Sequence, residues 1–369
     1  MAPRTRRRRW AQRLLSTLGV FVLTAFALSS AGVFYAKRTL DSVARVDLPS
    51  LTQEGKTIDK GGDGPTTIEN YLIVGSDSRA GANPDDLDAG AIGNAQEVTG
   101  QRSDTIMILR FNPADNTSAI LSLPRDLWVP IAGTDGKNKI NSAFTKGSDV
   151  LINTIQADFG IPIHHYVEVD FQGFKQLVDA IGGVSVYFPE PARDNTTGFE
   201  ALTPGCNTLD GTQALAFARS RHYQVFTNGR WREDQSADLG RIKRQQEFLR
   251  AAFDKALQAS SSSPVAATEL INAGLNNIKI DKTLDIFGLA NHLRKLGSGG
   301  IKSWTMPATL GTAGNQSVLN LNDAQAQPII DYFKGTGPEP PEATPTPGNA
   351  VPLAPSPVPA QDAADQTCS

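Results

Sequence analysis

Leu14 to Phe34 is a run of 21 residues without a charge, and it limits what this chain can become more than any other feature. As a helix it rises about 30 Å, the thickness of a bilayer's hydrocarbon core. Arg4, Arg6, Arg7, Arg8, Arg9 and Arg13 precede it, and Asp41 and Asp47 follow. Cationic flanks stay in the cytoplasm. The sequence therefore predicts a cytoplasmic basic tail over 1–13, a signal-anchor over 14–34 that crosses the cell membrane once, and an extracellular body. A cleaved export signal is the alternative, with Ser29, Ser30 and Ala31 as small residues for cleavage, although the apolar part of such signals is usually shorter. Either arrangement exports the body.

Residues 1–38 hold 8 basic and no acidic side chains, so the remaining 27 basic and 38 acidic residues leave the body at −11. An acidic body argues against nucleic acid as a partner, because affinity for polyphosphate needs a positive field. Hydrophobic residues make up 40% of the chain, enough for a packed core rather than a disordered chain. Outside the cell Cys206 and Cys368 meet an oxidising environment, where a disulfide tying the tail to the body is expected; two free thiols are the alternative. Residues 336–369 carry nine prolines between Pro338 and Pro359 and are expected to be a polyproline-like tail.

Between an expected linker over 35–67 and that tail, residues 68–335 read as one domain. Apolar runs at Tyr71–Gly75, Thr105–Phe111, Ser118–Leu123, His165–Val169 and Val184–Phe188 predict strands. The turn-rich Asn112–Thr117 joins two of them as a hairpin. Helical spacing predicts helices over Asn141–Phe159 with Gly160 as C-cap, over Gly173–Ile181, over Gly211–Arg221 with Asp210 as N-cap, and over Leu239–Gln258, ended by Ser260–Ser263. The alternation gives an α/β fold: a mixed central sheet flanked by helices on both sides.

His164, His165, His222 and His292 have no metal-ligand spacing. There is no nucleophile elbow and no Walker-type loop, so serine-hydrolase and NTPase chemistry lack support. Arginines beside aspartates at strand ends stand out instead: Gly75-Ser-Asp-Ser-Arg79, Arg102-Ser-Asp-Thr105, Leu123-Pro-Arg-Asp126, Ala218-Arg-Ser-Arg221 and Asp238-Leu-Gly-Arg-Ile-Lys-Arg-Gln-Gln246. Arg241, Arg244 and Gln245 are spaced to share one helix face. A guanidinium fork matches phosphate oxygens, and two aspartates beside phosphate are the usual protein share of a magnesium site. The pattern predicts a Mg2+-pyrophosphate ligand; a set of surface ion pairs is the bland alternative.

These five segments, with Lys139-Ile-Asn-Ser-Ala143 and Gly182-Gly-Val184, resemble the LytR-CpsA-Psr family in the family's order from about Asn70 to Phe253. The resemblance implies a phosphotransferase that moves a glycopolymer from a polyprenyl-pyrophosphate carrier to a cell-wall acceptor, a peptidoglycan hydroxyl or a surface protein, with a pyrophosphatase side activity. It implies Asp77 and Asp104 as magnesium-associated aspartates. Arg102, Arg125, Arg219, Arg221, Arg241 and Gln245 then grip the pyrophosphate, with Asp126 orienting Arg125 and Arg79 as an additional contact. The apolar cleft that the lipid requires is sought on the faces of Phe144, Val150, Leu151, Ile155, Leu249 and Phe253. The segment His222–Ala237, with Arg230, Trp231 and Arg232, is expected as a loop near the site that sets acceptor choice. A non-catalytic polyprenyl-phosphate-binding module and a membrane-attached transcriptional regulator are the alternatives.

Overall fold

A computed structural model describes residues 43–53, 67–77, 103–114, 117–234, 237–262, 277–285, 302–341 and 368. The expected basic tail, the membrane span and most of the proline-rich tail lie outside the described residues. Among the described residues no helix is long and apolar enough to cross a membrane.

Strand β1 (Ala44–Val46) comes first, and the apolar run ending near Gly75 forms β2 (Glu69–Ser76). The runs on either side of the Asn112–Thr117 connector form β3 (Ser103–Asn112) and β4 (Thr117–Ser122), with Asn112 paired to Thr117. A hairpin of β5 (Trp128–Pro130) and β6 (Lys137–Lys139) leads to α1 (Asn141–Thr145), α2 (Ser148–Phe159) and β7 (His165–Val169). Next come α3 (Phe171–Ala180), β8 (Val184–Phe188), β9 (Ala192–Asp194), β10 (Phe199–Ala201), β11 (Gly205–Leu209) and α4 (Gly211–Arg219). The side chains of Asp170 and Asp210 cap α3 and α4 by accepting from Gly173 N and Gln213 N, each at 2.8 Å. A second hairpin, β12 (Gln224–Thr227) and β13 (Arg230–Glu233), precedes the long α5 (Ala237–Ser262). Then follow β14 (Ile278–Asp281), β15 (Lys302–Thr305), β16 (Ala308–Ala313), β17 (Gln316–Leu321) and α6 (Asp323–Lys334).

Seven strands make the central sheet in the order β1-β14-β7-β2-β3-β4-β15. The pairs β1/β14, β7/β2 and β4/β15 are parallel and the others antiparallel, so the sheet is mixed. Alternation along the strands divides two faces. Leu72, Val74, Ile106, Ile108 and Leu121 pack on Leu151 and Ile155 of α2 and on Ile330 and Phe333 of α6. Ile73, Gly75, Thr105 and Met107 face the other way, towards α3, α4 and α5. A second core of Phe188, Phe199, Phe217, Tyr223 and Phe248 joins these helices to a four-stranded sheet, β10-β9-β12-β13. Helices α3 and α4 approach closely at Gly211, where a Cβ would lie 2.4 Å from the carbonyl oxygen of Lys175. A disulfide joins Cys206 to Cys368.

Several sequence expectations are corrected. The helix expected over Asn141–Phe159 is two helices, broken at Gly147, whose φ of 128° lies outside helical space. The helix from Gly211 stops at Arg219, and α5 runs on through the serines to Ser262, since serine is a weak helix former rather than a breaker. Residues 44–53, expected as linker, form β1 and bury Leu48 and Leu51 in the main core. Parallel pairing to a distant strand leaves no local turn signal to read. The expected loop after Arg221 is largely the β12–β13 hairpin, turned at Asn228-Gly229 with φ values of 52° and 74°, the conformation two-residue hairpins favour.

Near the β1 edge of the sheet Asp281 is buried and accepts from Tyr166 N at 3.0 Å, Thr283 N at 2.8 Å and Thr283 Oγ1 at 2.5 Å, with His165 Nδ1 at 3.0 Å. Burial alone would raise its pKa, but His165 and these hydrogen bonds hold the carboxyl down at about 2. A carboxyl whose pKa is depressed by folding stabilises the protein above its unfolded value, about 3.9, and that stabilisation is lost as pH falls towards the folded value. Asp281→Asn is therefore expected to lower stability at neutral pH by about 2 kcal/mol. It should also flatten the decline between pH ~4 and pH ~2. Urea unfolding across pH checks this; a variant with the wild-type acid decline would contradict it.

Candidate functional site

The site begins with an irregularity in the sheet. Gly75 pairs with Thr105, but Ser76 pairs with Ser103, so Asp104 is an extra residue on β3. Such a bulge re-aims a side chain. The carboxylate of Asp104 meets arginines from three separate segments. Arg125, just after β4, donates from Nη1 to Asp104 Oδ1 at 2.6 Å. Arg221 Nη2 lies 3.6 Å from the same oxygen and Arg241 Nη1 3.9 Å from it. Arg241 Nη2 also donates to the Asp104 carbonyl at 3.3 Å. Burial would raise the Asp104 pKa, yet Arg241, Arg125 and Arg221 together hold it below the usual carboxylate range. Three guanidiniums from three segments thus converge on one carboxylate.

Four side chains near the start of α5 fix this geometry. Arg241, 2% exposed, turns to Asp104. Arg244 instead pairs with Asp234 at 3.1 Å and donates to the Ser220 carbonyl at 2.7 Å. Gln245 Nε2 donates to the Ala218 carbonyl at 2.9 Å, and Gln246 Nε2 to Ser122 Oγ at 2.8 Å and the Trp304 carbonyl at 3.0 Å. Asp126 sits 3.6 Å from Arg125 Nε, an ion-pair contact too long for a hydrogen bond, and its other oxygen is 2.8 Å from Lys139 Nζ.

Asp194, which sequence reasoning missed, holds the segment that carries Arg221. It is fully buried and accepts from Ser220 Oγ at 2.6 Å, His222 N at 2.9 Å and Arg221 N at 3.1 Å. Burial opposes ionisation, but these bonds and those from Thr196 and Thr197 hold its pKa down. The local signal was an Asx-turn at Asp194-Asn-Thr-Thr197; its long-range role has no sequence signature. The contact of Lys139 with Asp126 likewise has no local sequence signature.

Between the sheet and α3, α4 and α5 lies a cavity of about 340 Å³. Its polar lining is Ser76, Asp104, Asp170 and Arg219, at or near the ends of their elements, with Arg241 and Gln245 from the first turns of α5. Deeper walls are apolar: Ile73, Met107, Phe174, Leu177, Phe248 and Leu249. From Arg241 to Ala252 the cavity follows α5 for about 16 Å. Arg219 stacks over Phe171 with its guanidinium carbon 4.6 Å from the ring centroid. The arrangement suits a molecule with an anionic head and a long apolar tail.

Of the expected site residues, Asp104, Arg125, Arg221 and Arg241 converge, Arg219 and Gln245 line the cavity, and Asp126 stands behind Arg125. Asp77 directly follows Ser76, at the strand end that pairs beside Asp104. Arg79 and Arg102 lie outside the described residues, as does the side chain of Phe253. Leu249 lines the cavity, but Phe144, Leu151 and Ile155 belong to the main core on the opposite face of the sheet, and Val150 packs against that core. Helical periodicity marks an apolar face without saying which side of the sheet it covers.

The donor set also bears on a cation. Among the described residues no three His, Cys, Asp or Glu side chains are grouped to hold a metal. Asp104 on β3 and Asp77, which follows the paired end of β2, are the oxygen donors that a hard cation such as Mg2+ would take, its shell completed by phosphate oxygens and water.

Residues 41–334 match the LytR_cpsA_psr family model. The chain is 32% identical over 295 residues to a polyisoprenyl-teichoic acid–peptidoglycan teichoic acid transferase, TagU, of Oceanobacillus iheyensis, covering 76% of this chain and 79% of that protein. It is 31% identical over 265 residues to a probable cell wall biosynthesis protein, LcpB, of Corynebacterium glutamicum, covering 71% of this chain and 58% of the relative. A LytR-Csp2A-Psr enzyme from Actinomyces oris superposes with a TM-score of 0.60 at 24% identity, covering 79% of this chain and 96% of the other, a likeness of fold. The chain belongs to the LytR_cpsA_psr family.

Proposed function

We propose that this protein is a Mg2+-dependent phosphotransferase that moves a glycopolymer from a polyprenyl-pyrophosphate carrier to a cell-wall acceptor. The observation that carries the reading is the cluster of three guanidiniums around Asp104 at the polar end of an apolar cavity. Its similarity to relatives named as polyisoprenyl-teichoic acid–peptidoglycan transferases supports the same class of donor and acceptor. The acceptor is a peptidoglycan hydroxyl, with a surface protein as the other candidate. The expected span over 14–34 would hold the domain at the outer face of the membrane, where lipid carrier and wall meet.

The isoprenoid tail occupies the cavity, and the diphosphate lies among Arg125, Arg221 and Arg241. Asp104 and Asp77 would hold Mg2+, which when bound neutralises phosphate charge. The acceptor oxygen attacks the phosphorus nearest the glycan, and the bond from that phosphorus to the bridging oxygen breaks. The glycan stays on the attacked phosphorus, polyprenyl phosphate departs with the bridging oxygen, and the proton of the attacking hydroxyl passes to the departing phosphate or to water. Preorganised positive charge is the main catalytic contribution in such a transfer. Asp104, held ionised by three arginines, is a weak base, so its role is to hold cation and guanidiniums rather than to take the proton of the attacking hydroxyl. Water in place of the acceptor gives a pyrophosphatase side reaction.

Turnover of a polyprenyl-diphosphate sugar by the purified protein tests the reading; no release of polyprenyl phosphate with Mg2+ and acceptor present would refute it. Arg125→Lys removes the planar fork but keeps the charge, and kcat/KM should fall roughly 10²-fold, the scale for losing one aligned transition-state donor. Wild-type turnover in that variant would refute the role given to the fork. Asp104→Ala and Asp77→Ala should each abolish the magnesium dependence of turnover while the circular dichroism spectrum stays that of the parent. A retained magnesium response would overturn the metal assignment.

A further inference from the structure

The small sheet that carries Asp194 has an outward face that no step above uses. Pairing sets Glu200 opposite Arg193, Arg193 opposite Gln224 and Gln224 opposite Glu233, so four polar side chains form a row on one side of the sheet. The next row, Ala201, Ala192, Val225 and Arg232, points to the other side, where both alanines are buried and Val225 packs on the second core. Two residues along on the polar side, Phe226 pairs with Trp231, their ring centroids 5.3 Å apart. Phe226 is 37% exposed and Trp231 half-buried. Arg193 locks the indole, with its guanidinium carbon 4.1 Å from the ring centroid and its Nε donating to Gln224 Oε1 at 3.0 Å. His222, paired with Glu233 at 2.7 Å, extends the row.

Two fixed aromatic rings ringed by amide, guanidinium and carboxylate groups match a sugar, which has flat faces of C–H and a rim of hydroxyls. Charge narrows the choice. One arginine stands against Glu200 and Glu233, so the face has no surplus positive charge and does not suit a phosphate-rich chain. The face lies near the guanidinium cluster along the chain: Asp194 ends β9 and accepts from Arg221 N, and Phe226 follows Arg221 by five residues, within about 17 Å of extended chain.

We propose that this face, built on Phe226, Trp231, Arg193, Gln224 and Glu233, is a subsite for the neutral glycan strand of the wall acceptor, adjoining the pyrophosphate site. The choice of acceptor rests on the transferase reading; the binding itself does not. Calorimetric titration of the full-length protein with a tetramer of N-acetylglucosamine, and separately with an oligomer of glycerol phosphate, tests it without turnover. The neutral tetramer should bind through this face, and any binding of the anionic oligomer, which the guanidinium cluster can take, should be unchanged in Trp231→Ala. Trp231→Ala and Phe226→Ala should each weaken the tetramer at least tenfold, while Trp231→Phe, which keeps a ring and guards against a collapsed hairpin, should retain most of it. Absence of tetramer binding, wild-type tetramer affinity in Trp231→Ala, loss in Trp231→Phe equal to that in Trp231→Ala, or loss of anionic-oligomer binding in Trp231→Ala equal to that of the tetramer would each overturn the proposal. None of these results depends on whether the protein turns over a polyprenyl diphosphate, so the two readings fail separately.

Discussion

A buried guanidinium must be paired or it destabilises the fold that holds it, and Arg241 is 2% exposed. Asp104 is one partner at this position, through its carboxylate and its carbonyl. The same carboxylate draws Arg125 and Arg221 from other parts of the chain. The result is three guanidiniums fixed around one carboxylate inside an acidic body. Cations held in place before a ligand arrives need no reorganisation when negative charge builds on it, and in a partly buried setting each interaction is less screened than in water. Behind the arginines lies an apolar cavity, which under the proposed function would favour a lipid-borne anion over a water-soluble phosphate.

That charge centre depends on packing elsewhere. The bulge that aims Asp104 exists only because β2 and β3 pair over their full length. The first turns of α5 are fastened by neighbours that each reach a different element: Arg244 to Asp234, Gln245 to the end of α4, Gln246 to β4 and β15. Successive helix residues are separated by about 100°, so Arg244 and Gln245 diverge to either side of Arg241 instead of joining it. The cavity survives because α3 and α4 are held together at Gly211 and capped by Asp170 and Asp210, which leaves Phe174 and Leu177 to form a wall.

The sequence carried those elements whose signal is local. Apolar runs named β2, β3, β4, β7 and β8 within a residue or two, and the arginine–aspartate pairs pointed to Asp104, Arg125, Arg221 and Arg241 before their geometry was known. What depended on distant contacts was not legible. Strand β1 pairs with β14, far along the chain; Asp194 works through the backbone of residues 220–222; and Phe144 and Ile155 proved to be core because α1 and α2 cover the face of the sheet away from the cavity.

The segment after Arg221 shows how polar composition misleads. His222 to Glu233 is rich in polar residues and reads as loop, yet its alternation is that of a half-buried strand pair, with Val225 inward and Phe226 and Trp231 outward. Strand β13 is the open edge of its sheet, where exposed apolar side chains invite pairing with another chain. Arg230, Arg232 and Glu233 line that edge with charge, the usual protection against such pairing. An edge guarded in this way can keep two aromatic rings in water without aggregating, and rings kept in water suit a soluble, reversible partner rather than packing.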